Sequence, residues 1–248
     1  MSLIGMLTHP DPETREGALI VLSVKERPSD EELRALADRL RDDSQRIREA
    51  AAQALLDGAM FLWGFERVAS ALPAGSLLPA LADRSAKVRE NVLRVLSHCA
   101  ADERIRSAAE ALLGDPALLV RVSAAAVLWE QARDLAGTLP AVEAALRSGE
   151  RKAVIYACHL LVGIGPAAGE VVPLLWGHLR HPDGVVRGNA AYALLKCCPD
   201  KRLLAEAAAL VLADAGDAAS DALVRFAAHK LRKAAGAEPA APAGPPRE

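Results

Sequence analysis

LADRSAKVRENVLRVL, residues 81–96, contains a turn and the helix that follows it. Val88, Val92, Val95 and Leu96 fall at i, i+4, i+7 and i+8, which places them on one apolar stripe of a helix. The same phrase recurs along the chain: Leu, six residues, Val or Ile, Arg, two residues, a small apolar residue, three residues, Leu. Its Arg position falls at Arg15, Arg48, Arg89, Arg121, Val154, Arg187 and Ser220, with spacings of 33, 41, 32, 33, 33 and 33 residues. Such a period marks supersecondary units that bury their apolar faces only by stacking.

The stripe returns as Ile47, Ala51, Ala54, Leu55 and as Val120, Ala124, Val127, Leu128. Upstream of each lies a second amphipathic stretch, such as DEELRALADRL (30–40) or RSAAEALL (106–113). Ser29 with Glu32 makes a capping box. Asp11-Pro12 and Asp115-Pro116 each place an N-cap before a proline at the first helical position. The expected fold is all-α, an α-solenoid of about seven antiparallel helix pairs over residues 1–234, with an insertion near 57–75. The terminus AGAEPAAPAGPPRE (235–248) is rich in Pro and Ala and is expected to be disordered.

Through the recurring Asp-x5-Arg element, at Asp42/Arg48, Asp83/Arg89 and Asp115/Arg121, the chain resembles the HEAT-repeat family over roughly residues 3–233. The likeness is to its shorter bacterial, bilin-lyase-type form. It implies a ladder of Asp–Arg hydrogen bonds between neighbouring second helices, with Arg187 as a further member. The fifth copy departs at Ser148 and Val154 and the seventh at Ser220, so the ladder is expected to break there, with the last repeat as a cap. The signatures of ankyrin and tetratricopeptide arrays, which share a similar period, are absent.

Composition agrees with helix: 52% of residues are apolar but only 3% are aromatic. The net charge of −2 gives no global attraction to nucleic acid, which is not an expected partner. The charge is uneven, however, with 8 basic and 12 acidic residues in 1–60 but 11 basic and 7 acidic in 151–234. The N-terminus lacks the pattern of a signal peptide, and no apolar run is expected to span a membrane. Cys99, Cys158, Cys197 and Cys198 show no CxxC spacing and are expected to be free buried thiols in a cytoplasmic protein.

No catalytic constellation is visible, and no cofactor or metal is expected. GIGPAAG (163–169) lacks the Lys-Ser/Thr of a phosphate loop, and there is no Gly-x-Ser-x-Gly elbow. His178, His181 and Asp183 loosely suggest a metal site, but His-Pro-Asp recurs at 9–11, so a repeated turn with Asp as N-cap explains both. Among HEAT-like enzymes, the di-iron hydroxylases carry His-Glu pairs that this chain lacks. The alkylpurine DNA glycosylases use a basic groove with Trp, for which only Trp129 offers itself.

The expected function is therefore a non-enzymatic scaffold for unidentified protein partners, the alternative being a HEAT-like enzyme or enzyme accessory. Second helices usually line the concave face of a solenoid. Positions around the fifth residue after the ladder Arg give Asn91 and Arg94 early, then Tyr156, His159, Asn189, Tyr192 and Arg225 late, residue types enriched in recognition. A second candidate is MFLWGFER (60–67), which holds Phe61, Trp63 and Phe65. It lies in the one long interval, Leu55 to Leu81, of 26 residues where the others are 17 or 18. Leu56, Ala59 or Met60, and Trp63 continue the helical spacing there, so the aromatics either cover the junction of repeats two and three or form a partner or self-association site.

Overall fold

A computed structural model describes residues 1–213 and 220–236, and among them every regular element is helical. The chain divides into two compact units, Met1–Ala141 and Val142–Glu248. In the first, α1 (Leu3–Leu7) packs on α2 (Pro12–Ser23), and α3 (Asp30–Asp38) on α4 (Gln45–Asp57). Then come α5 (Phe65–Ala71), α6 (Ala74–Leu77) and a 3-10 stretch, Leu78–Ala82, before α7 (Ala86–Leu96). The unit continues with α8 (Glu103–Leu112) and α9 (Leu118–Ala132). The second helices α2, α4, α7 and α9 pack side by side.

The division falls within α10 (Leu135–Ser148). In the second unit α11 (Arg151–Ile164) is followed by α12 (Val172–His178), α13 (Gly184–Cys197), α14 (Lys201–Ala213) and α15 (Ser220–Ala235). Here α11, α13 and α15 form the row of second helices, with α12 against α13 and α14 against α15. This is an α-solenoid of stacked helix pairs. The stripe residues of α4, α7 and α9 are all buried, as the 3.6-residue period requires.

The turns before α2, α4, α7, α9, α11 and α13 follow one plan. The side chain that opens each accepts a hydrogen bond from the N–H two residues on. His9 Nδ1 accepts from Asp11 (3.1 Å), Asp42 from Ser44 (3.0 Å), Asp83 from Ser85 (2.7 Å) and Asp115 from Ala117 (2.8 Å). Ser148 accepts from Glu150 (3.0 Å) and His181 Nδ1 from Asp183 (3.0 Å). Six residues after the opener, an arginine donates back to the first two carbonyls of the turn. Arg15, Arg48, Arg89, Arg121 and Arg187 all do this, at 2.7–3.2 Å. The guanidinium thereby supplies donors to turn carbonyls that lack a helical partner, the first of them partly buried.

Where the opener is Asp, it also receives the arginine of the preceding repeat. Arg15 reaches Asp42 at 2.9 Å, Arg48 reaches Asp83 at 2.6 Å and Arg89 reaches Asp115 at 2.8 Å. At two points the geometry corrects the sequence reading. Asp115 is not an N-cap, because α9 begins after Ala117 and the carboxylate is already engaged as a turn opener. The second is Arg187, which donates to its own turn carbonyls and reaches no carboxylate of another repeat among the described residues; the ladder does break at the fifth copy, where Val154 is buried and Arg151, one turn earlier on α11, pairs instead with Asp183 from the exposed side. The seventh copy's Ser220 side chain lies outside the described residues. The expected disordered terminus does so from 237 on, and Ala235 still belongs to α15.

The helical stretch Arg151–His178 reaches a mean hydropathy of 1.5, enough by composition to cross a membrane. Gly165, at φ 70°, breaks it, leaving the 14 residues of α11, about 21 Å long against the roughly 30 Å of a bilayer core. Half of the apolar window is buried inside the protein, which is why it is apolar.

Burial alone would raise the carboxyls of Asp42, Asp83 and Asp115, but arginine and backbone hydrogen bonds outweigh it and hold each below its ordinary 3.8. A depressed folded-state value means that this stabilisation is complete above the unfolded value and is lost as pH falls through the folded one. Thermal melting should therefore hold steady down to the ordinary carboxylate value of 3.8 and decline below it, less steeply in Asp83→Asn/Asp115→Asn. Arg89→Ala, which strands the buried Asp115, should cost on the order of 3 kcal/mol by urea denaturation.

Candidate functional site

The long interval in the first unit is built around one close contact. Helix α4 runs on through a π-helical turn, Gly58–Trp63, and Gly64 at φ 81° then reverses the chain into α5. The Trp63 ring folds back onto Gly58, where an added Cβ would lie 2.3 Å from it. Leu56, Ala59 and Trp63 turn inward, and Met60 does not. The Trp63 Nε1–H donates to the Lys25 carbonyl at 2.7 Å, while Arg67 reaches the Pro28 carbonyl at 3.1 Å and the Asp30 carboxylate at 2.6 Å. The insertion thus fastens both ends of the α2–α3 turn, a role the sequence reading missed in Arg67 and Lys25.

The three aromatics have three environments. Trp63 is 9% exposed, whereas Phe61 is 73% exposed and stands with the exposed Met60 and Leu62. Phe65 is half-buried and stacks on His98, ring centroids 3.8 Å apart. Arg94 donates to the Met60 sulfur at 3.6 Å, which ties this turn to α7. Asn91, expected to face outward, is only 3% exposed. Its side chain donates to Gln53 on α4 at 3.1 Å, and Gln53 donates to Asp57 at 2.8 Å, so Asn91 belongs to a seam between second helices.

The second unit presents a different surface. On α11, α13 and α15, His159 and Arg225 are exposed, and Tyr156, Asn189 and Tyr192 are half-buried. His159 Nε2 and Asn189 Oδ1 are 2.8 Å apart, and Asn189 also donates to the Val185 carbonyl at 2.8 Å. Tyr192 lies 6.3 Å from Phe226, which is 49% exposed. Lys196 stands 5.7 Å over the Tyr192 ring and Lys230 stands 5.2 Å over the Phe226 ring. Phe226, Lys196 and Lys230 were not singled out from the sequence. Their signal was the recurrence of an aromatic-x3-Lys pair 34 residues on.

The remaining candidates for chemistry are accounted for by packing. His181 opens its turn and Asp183 caps α13, while His178 donates to the Leu146 carbonyl at 2.8 Å. Among the described residues no three His, Cys, Asp or Glu are grouped to hold a metal ion. Trp129 is buried, with the Arg133 guanidinium 5.0 Å from its ring centre. Burial pushes the thiols of Cys158 and Cys197 up to about 12, and also raises Cys99, so none is poised as a thiolate.

With the helix pairs and turns in place, comparison with solved structures gives the fold a context. A designed armadillo repeat protein aligns over 77% of this chain and 97% of its own, at a TM-score of 0.53 and 21% identity. The chain has the fold of HEAT and armadillo-like repeat solenoids. A HEAT-like repeats protein of the archaeon Thermococcus onnurineus NA1 aligns over 77% of this chain and 84% of its own, with a TM-score of 0.51 and 16% identity. A second designed armadillo repeat protein, in complex with the peptide (KR)4, covers 77% of this chain and 96% of its own, at 0.51 and 18% identity. No protein-family model and no curated protein matches the chain.

The fit of Trp63 onto Gly58 yields a direct check. Gly58→Ala forces the indole out of its seat and should destabilise the protein by about 1–3 kcal/mol, with a red-shifted tryptophan emission. Phe61→Ser, at an exposed position, should change stability by less than about 0.5 kcal/mol.

Proposed function

We propose that this chain is a non-enzymatic protein-binding scaffold and that the face of α11, α13 and α15 in the second unit is its principal contact surface. The observation that carries this reading is the row of partly exposed aromatic, amide and basic side chains on three adjacent helices: Tyr156, His159, Asn189, Tyr192, Arg225 and Phe226. Folding does not need such residues at the surface, and they are the types that dominate binding energetics. A solenoid face of parallel second helices suits an extended ligand, and one protein of similar fold is found in complex with a peptide. A cytoplasmic location accords with four free cysteines, three of them buried.

Capture from a lysate of the source cells, using the whole chain as bait, tests the reading. A stoichiometric protein should be retained by the wild type and lost with Tyr156→Ala/His159→Ala/Tyr192→Ala, the melting temperature of the variant staying near that of the wild type. Equal capture by the variant would remove this face from consideration, and a bound nucleotide or pigment in place of a protein would favour an enzyme accessory.

A second reading rests on a separate observation. Six of the eight large hydrophobic side chains that stand exposed among the described residues belong to two stretches of the first unit, Ile20, Val21 and Val24 on one and Met60, Phe61 and Leu62 on the other. The hydrogen bond from Trp63 to Lys25 brings the ends of these stretches together. Such an apolar patch suits self-association. Sedimentation should then show a concentration-dependent dimer that Phe61→Ser abolishes, and a monomer at all concentrations would exclude it.

A further inference from the structure

We infer that the α11–α13–α15 face takes an extended, acidic peptide segment of its partner. The inference rests on the binding reading above and adds the chemistry of the ligand.

Charge is the first argument. The sequences of these three helices contain eight Lys or Arg against one acid, Asp221. Two of the eight are engaged: Arg151 pairs with Asp183, and Arg187 is buried against its own turn carbonyls. By contrast α2 and α4 of the first unit together carry three basic and four acidic residues. Lys196, Arg225 and Lys230 have no carboxylate at ion-pair distance among the described residues. A face this rich in cations attracts an anionic segment and sets against a basic one.

Geometry is the second argument. Tyr192/Lys196 on α13 and Phe226/Lys230 on α15 are the same i, i+4 pair repeated 34 residues apart, with the two rings 6.3 Å from each other. Each ring supports the ammonium group above it, so that the cation stands in a fixed place on an apolar base. Neighbouring helices lie about 8–10 Å apart, and an extended chain covers that distance in about three residues. Acids three residues apart in the ligand therefore meet Lys196 and Lys230 in turn.

The same pairing favours a peptide over single-stranded nucleic acid. Binding a strand without sequence preference depends on open ring faces on which bases stack, and here a lysine already lies over each ring.

The test uses the whole protein and three fluorescent nine-residue probes, (Glu-Gly-Ser)3, (Asn-Gly-Ser)3 and (Lys-Gly-Ser)3, with the oligonucleotide dT10 as a fourth, read by anisotropy. The acidic probe should bind at least about tenfold more tightly than the neutral one and weaken as salt rises. It should lose about tenfold or more with Lys196→Glu/Lys230→Glu, and less with Lys196→Gln/Lys230→Gln, in variants whose melting temperature matches the wild type. Equal binding of acidic and neutral probes, preference for dT10 or for the basic probe, or unchanged binding by the charge-reversed variant would overturn the inference. If the lysate partner is retained through Tyr156, His159 and Tyr192 while no acidic probe binds, the acidic ligand is wrong and the binding surface stands. If that triple substitution changes neither, the surface itself is wrong.

Discussion

The array depends on the way each repeat ends. A chain that turns sharply between two helices exposes carbonyls with no helical partner, and stacking the next repeat against that turn partly buries the first of them. The arginine six residues on solves this from within the repeat, by donating to the first two carbonyls of its own turn. The remaining face of its guanidinium can then meet the carboxylate that opens the next turn. At Arg15, Arg48 and Arg89 one side chain thus satisfies local backbone and meets the carboxylate of the next repeat, while Arg121 and Arg187 keep only the first of these roles.

This also explains which parts of the fold were legible in sequence. The helices, their buried stripes and the repeat length are local properties, so Val88, Val92 and Leu96 declare themselves by spacing alone. The turn opener was only partly legible, because His9, Asp42, Ser148 and His181 look unlike one another as residue types. They are alike in offering one acceptor atom to the N–H two residues on. The repeated His-Pro-Asp already marked His181 and Asp183 as a turn and a cap, and their bonds agree.

The candidate surfaces were less legible, since exposure depends on contacts between residues far apart in the chain. Asn91 sits where a helical wheel places an outward residue, yet it is buried, its side-chain amide donating a hydrogen bond to Gln53, 38 positions earlier. Phe61, Trp63 and Phe65 are indistinguishable by composition and separate only once Gly58 makes room for one of them. In the second unit His159, Tyr192 and Arg225 were found by extending the repeat, but the lysines that stand over the aromatic rings were not, because charged residues on a helix face usually serve only solvation.

The seat of Trp63 has a consequence for how the first unit comes apart. Repeat proteins that touch only their neighbours can fray one unit at a time from an end. Here a side chain that follows the second repeat is bonded to the turn joining the first repeat to the second, and Arg67, four residues after Trp63, makes a parallel attachment at Pro28. Loosening α1 and α2 therefore also unseats the start of the third repeat, and the three should lose amide protection against hydrogen exchange together.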